Sequence, residues 1–150
     1  MGLVPWTKAK RWKCIRCGDC CIEYMVPITY WEALKYSRIY GVRVKMVANR
    51  LILKDAGVSC PFLIFKPYQS VCTIQADKPR VCRLYPFVIR MSPIEPHEDD
   101  SALYEYGDRT FYVYLQDRCR GIGRGPELED ILPNVIKFWL EAYGSRRRRR

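Results

Sequence analysis

The chain has 150 residues, 49% of them apolar and 28% charged, with a formal net charge of +10. Those proportions suit about one domain with a real core, and exclude both a wholly disordered chain and a disulfide miniprotein that does without one. No apolar run approaches the roughly 18 residues of a membrane span and the first residues form no long apolar signal, so the expectation is a cytoplasmic protein with no membrane attachment.

In chain order, residues 1–13 read as a basic N-terminal arm. Lys8, Lys10, Arg11 and Lys13 face no acid there, and Trp6 and Trp12 interleave with them, a composition suited to stacking on bases while neutralising phosphates. A tight cysteine cluster follows at 14–21, and the apolar stretch Ile22 to Ile28, interrupted by Pro27, predicts an edge strand. Thr29 and Glu32 form a capping-box pair that opens a helix, Trp31 and Leu34 supply its apolar face, and Gly41 closes it. Short strands are predicted at Arg50 to Lys54, before the turn Asp55-Ala56-Gly57, and at Val71 to Ile74, Phe87 to Met91 and Thr110 to Leu115.

Ser92 to Asp108 reads as an acidic surface loop, with His97 facing solvent. Glu127 to Tyr143 has helical composition and an apolar set of Leu128, Ile131, Leu132, Val135, Phe138 and Trp139; Pro133 is expected to kink or divide it, leaving Asn134 to Tyr143 as the firmer helix. Arg146, Arg147, Arg148, Arg149 and Arg150 end a basic tail at 144–150. The two basic ends carry +4 and +5, so the rest of the chain is only +1. The ends are therefore where contact with RNA or a ribonucleoprotein is expected.

Eight cysteines dominate the chemistry: Cys14, Cys17, Cys20 and Cys21 close together, then Cys60, Cys72, Cys82 and Cys119 spread along the chain. With one histidine available, a metal site would be built from sulfur, and soft thiolates select zinc or iron–sulfur clusters. An even cysteine count also permits four disulfides, which a reducing compartment disfavours. Two residues between cysteines let a tight turn present both sulfurs to one centre, and the only Cys-Pro, Cys60-Pro61, resembles the ligand that completes bacterial ferredoxin triplets. Cys14, Cys17, Cys20 and Cys60 are one candidate quartet, with Cys21, Cys72, Cys82 and Cys119 left for a second site or for support. Cys21 equally well replaces Cys20, because adjacent side chains in extended backbone face opposite ways.

Five motifs in order carry a resemblance: Cys-x2-Cys-x2-Cys-Cys at 14–21, Cys-Pro-Phe-Leu at 60–63, Cys72-x-Ile74 leading to Pro79, Cys82-Arg83-x-Tyr85-Pro86-Phe87, and Cys119-x-Gly121-Ile122-Gly123-x-Gly125. Together they resemble the YkgJ-type cysteine-cluster family, a zinc- or iron-chelating domain. The resemblance implies metal binding through these cysteines, with a 4Fe-4S cluster favoured over zinc, and implies little about a reaction. Lys78-Pro79 stands where that family usually has Arg-Pro, and Gln75 where tyrosine is frequent; lysine keeps the charge but loses the planar fork.

Arg80 and Arg83 flank Cys82 and are expected either to lower its thiol pKa or to form surface ion pairs. Pro61-Phe62-Leu63 and Tyr85-Pro86-Phe87 are expected to wall the sulfurs with apolar groups, and the glycines at 121, 123 and 125 to mark a turn or a close backbone approach to a cluster. No carboxylate dyad, nucleophile triad or phosphate loop is visible. The sequence therefore predicts a small, irregular α+β metal-cluster domain over 14–143, with short strands, an N-terminal helix and a C-terminal helix. Its function is expected to be metal binding with a redox or electron-transfer role toward a partner protein, or else a metal-stapled RNA-binding accessory role.

Overall fold

The computed structural model describes residues 2–66 and 69–144, with Phe65 described by its backbone alone. The arginines at 146–150 lie outside the described residues. In chain order the elements are β1 (Leu3–Pro5), α1 (Trp6–Ala9), β2 (Arg11–Trp12), α2 (Cys20–Glu23), β3 (Val26–Pro27), α3 (Tyr30–Tyr40), β4 (Lys45–Val47), β5 (Arg50–Lys54) and β6 (Leu63–Lys66). They continue with β7 (Gln69–Cys72), α4 (Arg80–Leu84), β8 (Phe87–Arg90), β9 (Leu103–Tyr106), β10 (Arg109–Gln116), β11 (Ile122–Glu127) and α5 (Leu128–Tyr143). Helices and short antiparallel strands mix as an α+β fold. The chain divides into two compact units, Met1–Ile15 with Leu84–Arg150, and Arg16–Arg83.

The first unit is organised by β10, whose run of aromatic and β-branched residues suits a pleated, half-buried surface. It pairs antiparallel with β1, β8 and β9. Alternation turns Phe111, Val113 and Leu115 inward, where they pack with Leu128, Leu132 and Ile136 of α5, spaced four apart along one helical face. Each of these fully buried side chains is worth about 2 kcal/mol of burial. Pro133 does not divide α5, which runs unbroken from Leu128 to Tyr143. The correction has a local cause: the proline costs one hydrogen bond near the start of the helix, while the buried Leu128, Leu132 and Ile136 hold the turns on both sides of it.

Trp6 and Trp12, expected to face nucleic-acid bases, pack instead against this core. The Trp6 indole N–H donates to the Leu103 carbonyl at 3.0 Å and its ring meets Tyr104 edge-on, while Trp12 meets Phe87 edge-on at 5.1 Å. The cations between them stay exposed, and Lys8 and Arg11 reach Asp99 and Glu127 at 3.8 and 3.5 Å. Within the stretch read as an acidic loop, Leu103–Tyr106 forms β9 against β10. Glu98 there accepts a hydrogen bond from the Tyr114 hydroxyl, and His97 is exposed.

The second unit holds α3, the three-stranded sheet β3-β5-β4 and the β6–β7 hairpin. The Thr29–Glu32 capping box is present in both directions, and Gly41 closes α3 in the left-handed conformation. The buried face of α3 is Ala33 and Tyr36, whereas Trp31 is 76% exposed. Tyr36 wins the core because Val26, Leu53, Phe62 and Ile74 surround it and its hydroxyl donates to the Asp77 carbonyl at 2.6 Å. Pro27 does lie in an edge strand, but Ile22 and Glu23 belong to α2 instead, a single turn whose Glu23 N–H donates to the Asp19 carbonyl at 2.8 Å. The strand expected at Val71 to Ile74 ends at Cys72, and Ile74 turns into the buried core.

Candidate metal centre

All eight cysteines are free thiols, so the four-disulfide alternative is absent from the structure. Six of them, Cys17, Cys20, Cys21, Cys60, Cys72 and Cys82, lie in the second unit; Cys14 and Cys119 lie in the first. Cys14 is exposed and the others are half-buried.

The Cys-x2-Cys turn is shaped by its backbone. Arg16 and Gly18 both take positive φ, 55° and 82°, so the chain reverses around Cys17 and enters α2 with Cys20 and Cys21 on its first turn. The segment between β5 and β6 then wraps the end of that turn. Cys60 N–H donates to the Cys21 carbonyl at 2.9 Å, and Gly57 N–H to the Ile22 carbonyl at 2.8 Å. Carbonyls that a one-turn helix leaves without partners are thereby used to bring Cys60 beside Cys21.

Cys72 enters from β7, whose pairing with β6 sets it opposite Leu63. Cys82 enters from α4, with its N–H bonded to the Pro79 carbonyl at 2.9 Å. Cys60, Cys72 and Cys82 all pack against the cluster around Tyr36 and Phe62. Phe62 thus does form the apolar wall expected of the Pro61-Phe62-Leu63 motif.

Electrostatics shows which thiols share a neighbourhood. Cys82, pushed up to about 12 first by burial, is also raised by Cys21, Cys60 and Cys72. Burial raises Cys60 too, with Cys21 and Cys72 adding to it. Cys21 goes the other way, down to about 7, because a hydrogen bond with Cys20 and the nearby Lys78 and Lys54 favour its thiolate. Cys60 and Cys82 thus each lie within electrostatic reach of Cys21 and Cys72, and Cys20 is hydrogen-bonded to Cys21.

Lys78 and Lys54 act on the thiols, whereas Arg83 donates to the Ala76 carbonyl and the Arg80 backbone N–H to Glu32. Burial outweighs charge at Cys82, so its thiol is raised rather than lowered. Lys54 carried no motif at all. It is buried, donates to the carbonyls of Ile22 and Tyr24, and burial disfavours its charged form.

In the first unit, Lys13 N–H donates to the Gly121 carbonyl at 3.2 Å, and the Trp12 indole N–H donates to Cys119 Sγ at 3.3 Å. Gly121 is needed for close approach to the chain itself: a Cβ there would collide with the Lys13 carbonyl oxygen. The expected approach is thus to β2 and its flank.

Among the described residues, no three histidine, cysteine, aspartate or glutamate side chains already surround a common ligating point. The donor set still fits a soft metal: free thiols, one of them with its pKa lowered to about 7, near two lysines. Residues 13–120 match the family CxxCxxCC, described as "Putative zinc- or iron-chelating domain". The chain belongs to that family. The CxxCxxCC match takes in segments of both units and all eight cysteines. No curated protein and no solved structure matches the chain significantly. Among the described residues, no helix is long and apolar enough to cross a membrane.

Proposed function

We propose that this CxxCxxCC chain holds an iron–sulfur cluster, of the 4Fe-4S type, and passes electrons to or from a partner protein in the reducing cytoplasm. The observation that carries the reading is that Cys60 and Cys82 each lie within electrostatic reach of Cys21 and Cys72. Four thiolates match the ligand number of a 4Fe-4S cluster, and lysines at 54 and 78 offset part of their charge. Cys14, Cys17, Cys20 and Cys119 remain candidate ligands beside this set. Closing the four thiols around a metal couples binding to folding, as in other thiolate domains.

Anaerobically purified protein is expected to be brown, with broad absorbance near ~400 nm from thiolate-to-iron charge transfer. A colourless protein carrying stoichiometric zinc would replace the iron–sulfur reading by a zinc one.

A second reading, docking on RNA or a ribonucleoprotein, draws support from charge. Residues 16–83 contain 11 Lys and Arg against 5 Asp and Glu, a net +6, and Lys8, Lys10, Arg11 and Lys13 are exposed. On α3, Tyr30 and Trp31 are 62% and 76% exposed and meet edge-on at 5.6 Å, an aromatic surface open to a base. Binding to single-stranded RNA is expected to weaken steeply with salt, to weaken in Trp31→Ala, and to weaken again when residues 146–150 are removed. Salt-insensitive or absent binding discards this reading.

A further inference from the structure

Lys54 ends β5 only 3% exposed, and a lysine that deep needs partners. Its ammonium donates to the carbonyls of Ile22, at 3.1 Å, and of Tyr24. Those carbonyls close the turn that carries Cys20 and Cys21, where a cation is favoured by the exposed negative ends of the peptide dipoles. One strand-end side chain thereby ties the vicinal cysteines to the sheet. The ammonium also lies within electrostatic reach of Cys60, Cys21 and Cys82. Loss of protons by three thiols in a half-buried setting would otherwise pile up negative charge with little water to screen it.

We infer that Lys54 is the internal counter-charge of the cysteine centre: it fixes the Cys20-Cys21 turn and offsets the negative charge of Cys21, Cys60 and Cys82 when they hold a metal. The inference rests on the reading of these cysteines as ligands, and adds the group that sets how tightly they hold the metal. It also gives a reason for a lysine at the end of a strand otherwise read only from its pattern. Arginine has the charge but not the compact reach. Methionine has the reach but no charge.

The test uses the full chain and zinc alone as the probe, titrated against a chromophoric chelator under anaerobic conditions. Lys54→Met is expected to weaken zinc binding at least about tenfold, and Lys54→Arg to restore part of the loss. With iron and sulfide loaded instead, Lys54→Met should shift the reduction potential to a more negative value, a change that a purely structural role would not cause. A folded Lys54→Met that binds zinc as tightly as the unaltered chain, while Cys82→Ser does not bind, overturns the role of Lys54 alone. An unaltered chain that binds no metal overturns the ligand reading beneath it. If Lys54→Met does not fold, the Nζ resonance of 15N-labelled unaltered protein decides: it must move when zinc is added, and an unmoved resonance overturns the inference.

Discussion

Cys60 donates its backbone N–H to the carbonyl of Cys21 at 2.9 Å, so two cysteines 39 positions apart are fixed side by side by the main chain. The bond does not depend on either thiol. Substituting one sulfur therefore removes a candidate ligand without undoing the approach, which makes serine variants informative at both positions.

Cys21→Ser, Cys60→Ser, Cys72→Ser and Cys82→Ser are each expected to weaken zinc binding by more than about 100-fold, because a lost ligand costs more than a lost supporting contact. Chelator competition checks this. If Cys14, Cys17, Cys20 and Cys60 form the ligand set instead, Cys17→Ser loses the metal and Cys82→Ser keeps it.

Thiol reactivity in metal-free protein should follow the electrostatics. Cys21, lowered from 9.0 to about 7 by its hydrogen bond with Cys20 and by Lys78 and Lys54, favours its thiolate in the folded state. Its contribution to stability is complete above about 9 and disappears as pH falls through about 7. Cys82, raised to about 12 by burial, favours the neutral thiol; its contribution is complete below about 9 and is lost as pH rises toward about 12. Iodoacetamide at about pH 7.5 is expected to label Cys21 first and Cys82 last, read by peptide mass mapping. Equal labelling of the two contradicts the assignment.

Metal uptake has the matching pH dependence. Cys60 and Cys82 must give up protons that the fold helps them keep, so zinc binding should release protons and tighten as pH rises from about 6 to about 8. Calorimetry in buffers of different ionisation enthalpy measures the proton release directly. Binding that is indifferent to pH across this range contradicts it.

Gly121→Ala should destabilise the chain by about 3 kcal/mol, because the new Cβ meets the Lys13 carbonyl oxygen and lies 3.2 Å from the Trp12 indole nitrogen. Gly123→Ala is the control. Nothing lies within 4 Å of a Cβ there, and only its φ of +85° resists alanine, at about 1 kcal/mol. Urea denaturation of the two variants should separate them.

Local signals were legible where one element decides its own structure. Thr29 and Glu32 announce the start of α3, Arg50 to Lys54 is β5 to the residue, and the apolar spacing from Leu128 onward finds Leu128 and Leu132 of the buried face of α5 but misses Ile136. Features set by distant partners were not. β1 and β2 are too short to show a period and exist because β10 and β11 pair with them from more than 100 residues away. Trp31 loses the core to Tyr36 because Phe62 and Asp77 stand opposite Tyr36, a fact of tertiary packing. The cysteines were visible as ligand candidates, but their grouping depends on the turns at Gly57 and Pro79, and a buried Lys54 has no sequence signature.

X-ray absorption at the metal edge of anaerobically purified protein reads the ligand atoms themselves. The expected first shell is sulfur alone, at about 2.3 Å, and it loses scatterers or the metal altogether in Cys82→Ser. A first shell of nitrogen or oxygen, or one unchanged by Cys82→Ser, would contradict it.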